Sequence, residues 1–264
     1  MQTAYDIYSD LSKQNNISRY KLGFISDDDI FEHVKNTIEK YRKTINLKDF
    51  NSNIIDPIKL TFDALIYQKK MNDLILDECI RQIDKSNSNV IGYFHQNIFK
   101  YVKGGWEVPR SGYDLVNEEK HIYVEIKNKH NTMNSSSSQK TYIKMQDTIL
   151  EDDQATCYLA EVISKTPGDH NWGIKVDGKR MSNKHIRRIS MDAFYALVFE
   201  DPLAFYKLCS TLPKIISDVL KKTNVGELQN TVLEELTAIN KDLEKSLFLL
   251  AFKEYEGFKD LKNE

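Results

Sequence analysis

Apolar residues recur every three or four positions through most of the chain before Gly104, which predicts helices. Ile58, Phe62 and Ile66, for example, would share one helix face. Aspartate and proline are both favoured at helix starts, aspartate by its capping side chain and proline by its fixed φ. We therefore place helix starts at Ser26-Asp27 and at Asp56-Pro57, and further helices over residues 73–85 and 91–101, on either side of the polar stretch 86–89.

After Gly104 the apolar residues alternate with polar ones, as they do in strands. The charged residues 118–120 form a predicted turn, and Asp177-Gly178-Lys179 is typical of a hairpin turn. From Met191 onward the helical spacing returns, and it ends in a long amphipathic stretch over residues 228–252. The predicted strands cover residues 106–108, 113–117, 122–128, 156–164, 172–176 and 185–189, and predicted helices cover 139–150 and begin at Met191 and Asp201-Pro202.

This order of elements predicts an α/β fold, in which a central mixed β-sheet is flanked by helices and the N- and C-terminal parts are helical. We expect a single domain over residues 1–264. Its core would cover about residues 88–200, between a helical N-terminal part (1–87) and a helical C-terminal part (201–264).

The composition is that of a globular protein, with 41% hydrophobic and 29% charged residues. No stretch approaches the roughly 20 apolar residues that a membrane helix needs. The first residues lack the basic start and apolar run of a secretory signal, so we expect a cytoplasmic protein without membrane contact. Cys79, Cys157 and Cys209 are far apart and odd in number, which favours buried thiols over disulfides or a zinc site.

Charge is distributed unevenly along the chain. The net charge of −2 argues against a passive nucleic-acid coat protein, because such proteins are usually basic. Between Lys165 and Arg188, however, seven lysines and arginines face only two aspartates. A locally basic surface of this kind suits DNA.

The strand predicted over residues 122–128 carries the strongest chemical signal. Glu125 and Lys127 share one face with Tyr123, although the strand is otherwise apolar. Burying such charges costs several kcal/mol unless they form a pair or meet a metal. The chain has four matches to an acid followed two residues later by lysine, namely Glu118/Lys120, Glu125/Lys127, Asp177/Lys179 and Asp260/Lys262. Only Glu125/Lys127 lies in an apolar strand that follows another strand carrying an acid; a surface ion pair is the alternative.

Asp114 on the preceding strand supplies that second acid. With a turn of two or four residues, Asp114 would lie opposite Tyr123 and about 7–8 Å along the diagonal from Glu125, on the same face. A turn of three residues would move Asp114 to the apolar face. Two carboxylates and the main-chain carbonyl of Ile126 suit a hard cation, and Mg²⁺ fits because it keeps several waters for reaction. Lys127 would orient or help to deprotonate the attacking water.

These residues also carry a resemblance. Gly112-Tyr113-Asp114 followed by Tyr123-Val124-Glu125-Ile126-Lys127 resembles the PD-(D/E)XK nuclease superfamily. The continuation over residues 128–138, with residues 89–96 and 187–195, is similar to the type II restriction endonucleases that cut GGNCC or GGWCC sites. The similarity extends from about Pro57 to Pro213.

The resemblance implies a PD-(D/E)XK nuclease-like sheet, a homodimer on palindromic double-stranded DNA, one or two Mg²⁺ ions and a cognate DNA methyltransferase. By matching positions, Asp114 and Glu125 would be metal ligands and Lys127 the catalytic lysine. Tyr113 stands where many members have proline. Many members also place a glutamate on the helix before the hairpin, where this chain has His95 and Gln96; Glu78, further upstream, is a further candidate ligand.

The polar segment after the strand supplies candidate DNA contacts, because amide, hydroxyl and basic side chains match the edges of bases. A helix that begins in the serine run would also direct free amide groups at a phosphate. The alternatives are a polar loop with a helix cap for this segment and a solvated charge pair for the two arginines. The candidates are Lys129, His130, Asn131, Thr132, Asn134, Ser135, Ser136, Gln139, Arg187 and Arg188.

Two functions compete with a restriction enzyme. A repair or recombination nuclease would use the same chemistry, and an inactive DNA-binding protein would use the same scaffold. His130 as the base of a ββα-metal nuclease is disfavoured, because no second histidine and asparagine stand at the required spacing. Trp106 and Trp172 are expected in the core rather than stacked on bases, and the C-terminal apolar stripe in the core or at a dimer contact.

Overall fold

The structure is a computed structural model that describes residues 19–176 and 178–258. The sequence-based expectations for the extreme N-terminus, for Asp177 and for Asp260/Lys262 lie outside these residues. The chain divides into two compact units, one within Met1–Glu39 and Ile91–Asn224 and the other within Lys40–Val90 and Val225–Glu264. The expectation of a single domain stays a prediction.

Most of the strands in the described chain lie in its middle part, between runs of helices. The helices are α1 (Asp27–Glu39), α2 (Leu47–Asn51), α3 (Pro57–Tyr67), α4 (Met71–Asn97), α5 (Ser135–Glu151), α6 (Met191–Phe199), α7 (Ala204–Leu220), α8 (Val232–Ile239) and α9 (Leu243–Phe252), with a 3₁₀ turn at Ile98–Tyr101. The strands are β1 (Thr44–Ile45), β2 (Trp106–Glu107), β3 (Leu115–Asn117), β4 (Ile122–Lys129), β5 (Thr156–Ile163), β6 (Asp169–Val176), β7 (Lys179–Ser190) and β8 (Gln229–Asn230). None of the described helices has the length and apolar character to span a bilayer.

The first unit is built on a six-stranded sheet in the order β2-β3-β4-β5-β7-β6. Strands β4, β5 and β7 are parallel to one another, and the remaining pairs are antiparallel. One apolar cluster joins Val124 and Ile126 of β4 to Phe194 of α6. A second cluster joins Leu159 of β5 to Tyr142 of α5. The predicted mixed sheet flanked by helices is therefore confirmed.

The second unit contains α2, α3, α8 and α9 with the short parallel pair β1-β8. Asp56 caps α3 as predicted, because its side chain accepts a hydrogen bond from the Lys59 amide. The stripe of Ile58, Phe62 and Ile66 nevertheless lies exposed, and Pro57 and Leu60 are the buried residues of that helix.

Two helix predictions were wrong at their ends. Residues 86–89 do not break the helix, since α4 runs unbroken from Met71 to Asn97. These residues include neither glycine nor proline, and Asn87 accepts a hydrogen bond from the Arg42 amide at 2.8 Å. The prediction of one long helix over residues 228–252 is also wrong. The short strand β8 stands at its start, and the rest forms two helices, α8 and α9, the second of which is capped by the Asp242 side chain.

Smaller differences concern single residues. Helix α7 begins at Ala204 rather than at Asp201, whose side chain instead accepts a hydrogen bond from the Leu203 amide at 2.9 Å. Cys79 and Cys157 are buried as expected, whereas Cys209 is exposed. The core positions of the two tryptophans are confirmed, with Trp106 7% and Trp172 4% exposed.

Candidate active site

The β3-β4 hairpin sets the geometry of the site. Val116 pairs with Tyr123 and Asn117 pairs with Ile122, so the turn has four residues and ends at His121 in the left-handed region, at φ 52°. The prediction that Asp114 lies opposite Tyr123 was therefore wrong. Asp114 precedes the ladder and donates from its own amide to the Val124 carbonyl at 3.0 Å.

The three predicted charges nevertheless lie together on one face of the sheet. Lys127 Nζ is 4.0 Å from Asp114 Oδ2 and 3.8 Å from Glu125 Oε2. Two hydrogen bonds hold Asp114 in place: its Oδ2 accepts from the backbone amide of Ile126 at 2.7 Å, and its carbonyl accepts from the side-chain Nε2 of Gln96 at 3.2 Å. Strand β4 is hydrogen-bonded to a neighbour on each side, so Glu125 and Lys127 project from a rigid base.

Glu125 is the most desolvated group of the site. Its side chain is 15% exposed, and its Oε2 atom is buried without a hydrogen-bond partner among the described residues. Burial raises the pKa of this carboxyl, the nearby Asp114 charge raises it further, and Lys127 and Lys144 oppose both effects only in part. A carboxylate in this state gains by binding a proton or a cation.

Lys144 on α5 is a site residue that the sequence did not indicate. Its Nζ lies 3.3 Å from Glu125 Oε1, donates to the Gly112 carbonyl at 2.8 Å and sits 3.9 Å from the centre of the Tyr113 ring. The helix over this segment is predictable, but no pattern in the sequence shows which of its turns covers Glu125.

Tyr113, which stands in the place of the usual proline, supports α5. Its hydroxyl lies 2.7 Å from Thr148 Oγ1, and burial raises the pKa of this phenol, so it is protonated at neutral pH. The ring therefore serves as a packing surface for Lys144 and the hydroxyl as an anchor on the helix.

The donor set suits a small hard cation. No cluster of three or more His, Cys, Asp or Glu that could hold a metal occurs in residues 19–176 or 178–258. Two carboxylates and the Ile126 carbonyl form a smaller set, of the kind that Mg²⁺ uses when it keeps several waters. The unpartnered, buried Oε2 atom of Glu125 fits this use.

The three candidate residues on α4, the helix before the hairpin, differ in their relation to the site. Gln96 contacts the Asp114 backbone, as described above. Burial lowers the pKa of His95 to about 4, so this histidine is neutral at pH 7. Glu78 lies in the second unit, where Arg81 Nε is 2.6 Å from its Oε2 and Gln82 Nε2 donates to its Oε1 at 3.0 Å. Burial alone would raise the Glu78 pKa, but these hydrogen bonds outweigh it and the pKa is lowered. Its role as a metal ligand stays a prediction.

The predicted DNA-contacting segment connects β4 to α5. Asn134 caps α5, because its side chain accepts from the Ser137 amide at 2.8 Å, and the helix starts within the serine run. Gln139 donates to the Lys175 carbonyl at 2.9 Å, and Thr132 donates to the Lys129 carbonyl at 2.9 Å. The remaining candidates in this segment that are exposed are Lys129, Asn131, Ser135 and Ser136.

The two predicted arginines lie on opposite faces of β7. Arg187 is bound to Asp169 at 2.6 Å and to Asn171 at 2.8 Å. Arg188 Nε lies 3.5 Å from Oε1 of Glu161, a β5 residue that sequence analysis missed. Oε2 of the same glutamate lies 2.9 Å from His130 Nδ1, and only 2% of the glutamate side chain is exposed. An apolar strand such as β5 gave no sign that its one acid was a buried partner.

A mixed sheet that brings Glu125 and Lys127 of its inner strand β4 together with Asp114, the residue before β3, is consistent with a PD-(D/E)XK-like nuclease fold. Comparison with known proteins agrees. The family model of the Eco47II restriction endonuclease matches residues 22–221. The chain belongs to the Eco47II restriction endonuclease family and is a type II site-specific deoxyribonuclease.

Two type II restriction enzymes are similar to most of the chain. The type II restriction enzyme Sau96I of Staphylococcus aureus is 28% identical over 209 residues, which are 75% of this chain and 80% of the relative. The type II restriction enzyme Eco47II of Escherichia coli is 30% identical over 213 residues, which are 76% of this chain and 89% of the relative. No solved structure matches the chain.

Proposed function

We propose that the chain hydrolyses double-stranded DNA in a Mg²⁺-dependent reaction at a GGNCC- or GGWCC-like palindrome and leaves 5′-phosphate and 3′-hydroxyl ends. The observation that carries the chemistry is the convergence of Asp114, Glu125 and Lys127, with a buried carboxylate oxygen left without a hydrogen-bond partner in the described part of the chain. The site preference rests on the resemblance of residues 128–138 to enzymes of that specificity.

In this proposal Asp114, Glu125 and the Ile126 carbonyl hold the ion. Bound Mg²⁺ supplies a polarised phosphate oxygen and a water of lowered pKa. Lys127, within 4.0 Å of both acids, orients the attacking water and offsets the negative charge that builds on the phosphate. Lys144 holds Glu125 in place through Oε1 and leaves Oε2 to the ion.

The partners follow from the same proposal. A palindromic site has two equivalent strands, so a homodimer would bring one active site to each. The segment over residues 129–139 and Arg187 and Arg188 would contact the DNA. A cognate methyltransferase would protect the host's own sites, and the cytoplasmic location expected from the sequence stays a prediction.

One digestion tests the reaction and its site. The protein is incubated with a sequenced plasmid in MgCl₂, and in parallel with EDTA. We expect discrete bands that map to GGNCC or GGWCC sites in MgCl₂ only, and fragments that DNA ligase rejoins without prior kinase treatment.

Each alternative gives a different result. Cleavage at junctions or ends without sequence preference would indicate a repair nuclease, and binding without cleavage would indicate an inactive scaffold. Glu125→Ala should bind the same duplex without cutting it. Cutting by this variant at the wild-type rate would remove Glu125 from the mechanism.

A further inference from the structure

The cluster of Glu161, His130 and Arg188 lies beside the active site but takes no part in the reaction described above. In the parallel ladders Glu161 is the partner of Lys127, and Leu159 is the partner of both Glu125 and Arg188. Partners in a parallel ladder share a face, so the cluster lies on the same face as the catalytic side chains. Arg188 is two strands from Glu125, which corresponds to about 10 Å.

Glu161 holds the other two side chains together. Its Oε2 is 2.9 Å from His130 Nδ1 and accepts from Ser164 Oγ at 3.2 Å, and its Oε1 is 3.5 Å from Arg188 Nε. Arg188 Nη1 lies 3.2 Å from His130 Nδ1 and 3.3 Å from its Nε2, so the guanidinium also contacts the imidazole ring. The guanidinium also lies 5.2 Å above the Trp172 ring. Glu161, through an ion pair without a hydrogen bond, His130 and Trp172 therefore contact the arginine from three directions, and the Glu161 side chain is only 2% exposed.

The fixed arginine still has capacity for an outside ligand. In the described part of the chain Nη1 contacts His130, and Nε is buried in the ion pair with Glu161 without a hydrogen bond; this leaves Nη2 and the 26% exposed part of the side chain. His130, at the end of β4, is 37% exposed beside it. A planar donor held in one orientation loses little freedom when it binds an acceptor, and phosphate oxygens are the acceptors that DNA offers at its backbone.

We propose that Arg188, held by Glu161 and His130, binds a DNA phosphate adjacent to the cleaved one, and that Glu161 is the positioning residue of this subsite. The proposal rests on the proposed function for the position of the DNA. Phosphate rather than a base is chosen because the cluster lies on the sheet face of the catalytic residues and about two strand spacings from Glu125, where the backbone of the cleaved strand would pass.

Single-phosphate substitution tests this assignment. A duplex with one GGNCC site is made in a series, with each phosphate near the cut replaced by an uncharged methylphosphonate, and binding is measured by fluorescence anisotropy in EDTA. We expect Arg188→Met to weaken binding of the natural duplex about 10- to 100-fold, the usual range for a charged hydrogen bond. We also expect this variant to lose sensitivity to one methylphosphonate that the wild type detects. The slope of log affinity against log salt should fall by about one.

Glu161→Gln tests the positioning role. Like Arg188→Met, this variant should bind the duplex more weakly and lose sensitivity to the same methylphosphonate. In cleavage assays it should raise KM while kcat stays within about twofold. Asp152→Asn is the matched control, because Asp152 pairs with His121 at 2.7 Å in a similar carboxylate–histidine contact at the other end of β4. This control should bind and cut as the wild type does. If Glu161→Gln acted only by destabilising the fold, its thermal unfolding temperature would be lower than that of the wild type.

Three outcomes would overturn the inference. They are a wild-type methylphosphonate profile for Arg188→Met, a loss that follows replacement of a guanine by 7-deazaguanine instead of a phosphate, and a fall in kcat alone for Glu161→Gln. Digestion by the wild type is scored separately. If the wild type cuts its site and the variants show no phosphate effect, only this subsite is wrong; if the wild type cuts nothing, the proposed function is wrong.

Discussion

Replacement of Glu125 by glutamine should stabilise the fold and abolish cleavage. The side chain is 15% exposed, and moving a carboxylate into such a site costs several kcal/mol in real proteins. Lys144 at 3.3 Å and Lys127 at 3.8 Å recover part of that cost, and Asp114 adds to it. The net effect is the raised pKa of Glu125, which means that the site favours the uncharged form more than water does. We expect a gain of about 1 kcal/mol in the free energy of unfolding at pH 7, within the range usual for such replacements.

The stabilisation by Glu125→Gln should depend on pH, and the raised pKa of Glu125 gives the direction of that dependence. Because the folded-state pKa of Glu125 is raised, the unfolded chain releases its proton at a lower pH than the folded chain does. The wild type therefore loses stability as the pH rises from the unfolded pKa through the folded pKa. Below the unfolded pKa the carboxyl is neutral in both states, and the advantage of Glu125→Gln should disappear.

Urea unfolding in EDTA at several pH values measures the difference, with the exposed turn residue Glu118 changed to glutamine as a control. The control should stay within about 0.5 kcal/mol of the wild type. If Glu125→Gln is less stable than the wild type at pH 7, the two lysines outweigh burial and the account of the site is wrong. Addition of MgCl₂ should stabilise the wild type more than the variant, since a ligand stabilises the state that binds it.

Three further substitutions test neighbouring contacts. Lys127→Met should reduce the cleavage rate by at least about 100-fold in single-turnover assays while duplex affinity changes only a few-fold; unchanged cleavage would exclude its catalytic role. Lys144→Met removes the cation beside Glu125 Oε1 and should lower the cleavage rate about tenfold at pH 7, with a smaller loss at higher pH, where Glu125 ionises without help. Tyr113→Phe should cost about 1 kcal/mol in urea unfolding, because its hydroxyl partner Thr148 Oγ1 loses a contact at 2.7 Å, and it should leave site preference unaltered.

The sequence predicted the sheet and the chemical groups better than the contacts between them. The alternation around Glu125 and Lys127 follows from local backbone geometry, so the strand and its charged face were predictable. The position of Asp114 was predicted on the correct face but with the wrong partner, because the register depends on the turn that ends at His121. Local composition also failed at residues 86–89, where the rest of α4 continues the helix through a polar stretch.

The roles of Lys144 and Glu161 could not have been predicted from local patterns in the sequence. Each lies in an element that was predicted, but its role depends on which residue of another strand it meets. The lysine contacts Glu125 across 19 positions of sequence and the glutamate contacts His130 across 31. Such contacts depend on the angle of a helix over the sheet and on the register of parallel strands, and neither is encoded in a local pattern.

Strand β4 lies between two hydrogen-bonded neighbours, so the groups proposed to cut DNA and those proposed to recognise its sequence lie in parts of the fold with different rigidity. We expect Glu125 and Lys127 to belong to the part of the fold that opens last, because a central strand is the most protected. The exposed residues that follow β4 form a connection held by a helix cap and a few side-chain bonds. Changes in that connection can alter which sequences are accepted while the reacting groups keep their places. Selection for new specificities should therefore begin at Asn131, Ser135 and Ser136, where a substitution disturbs no strand pairing.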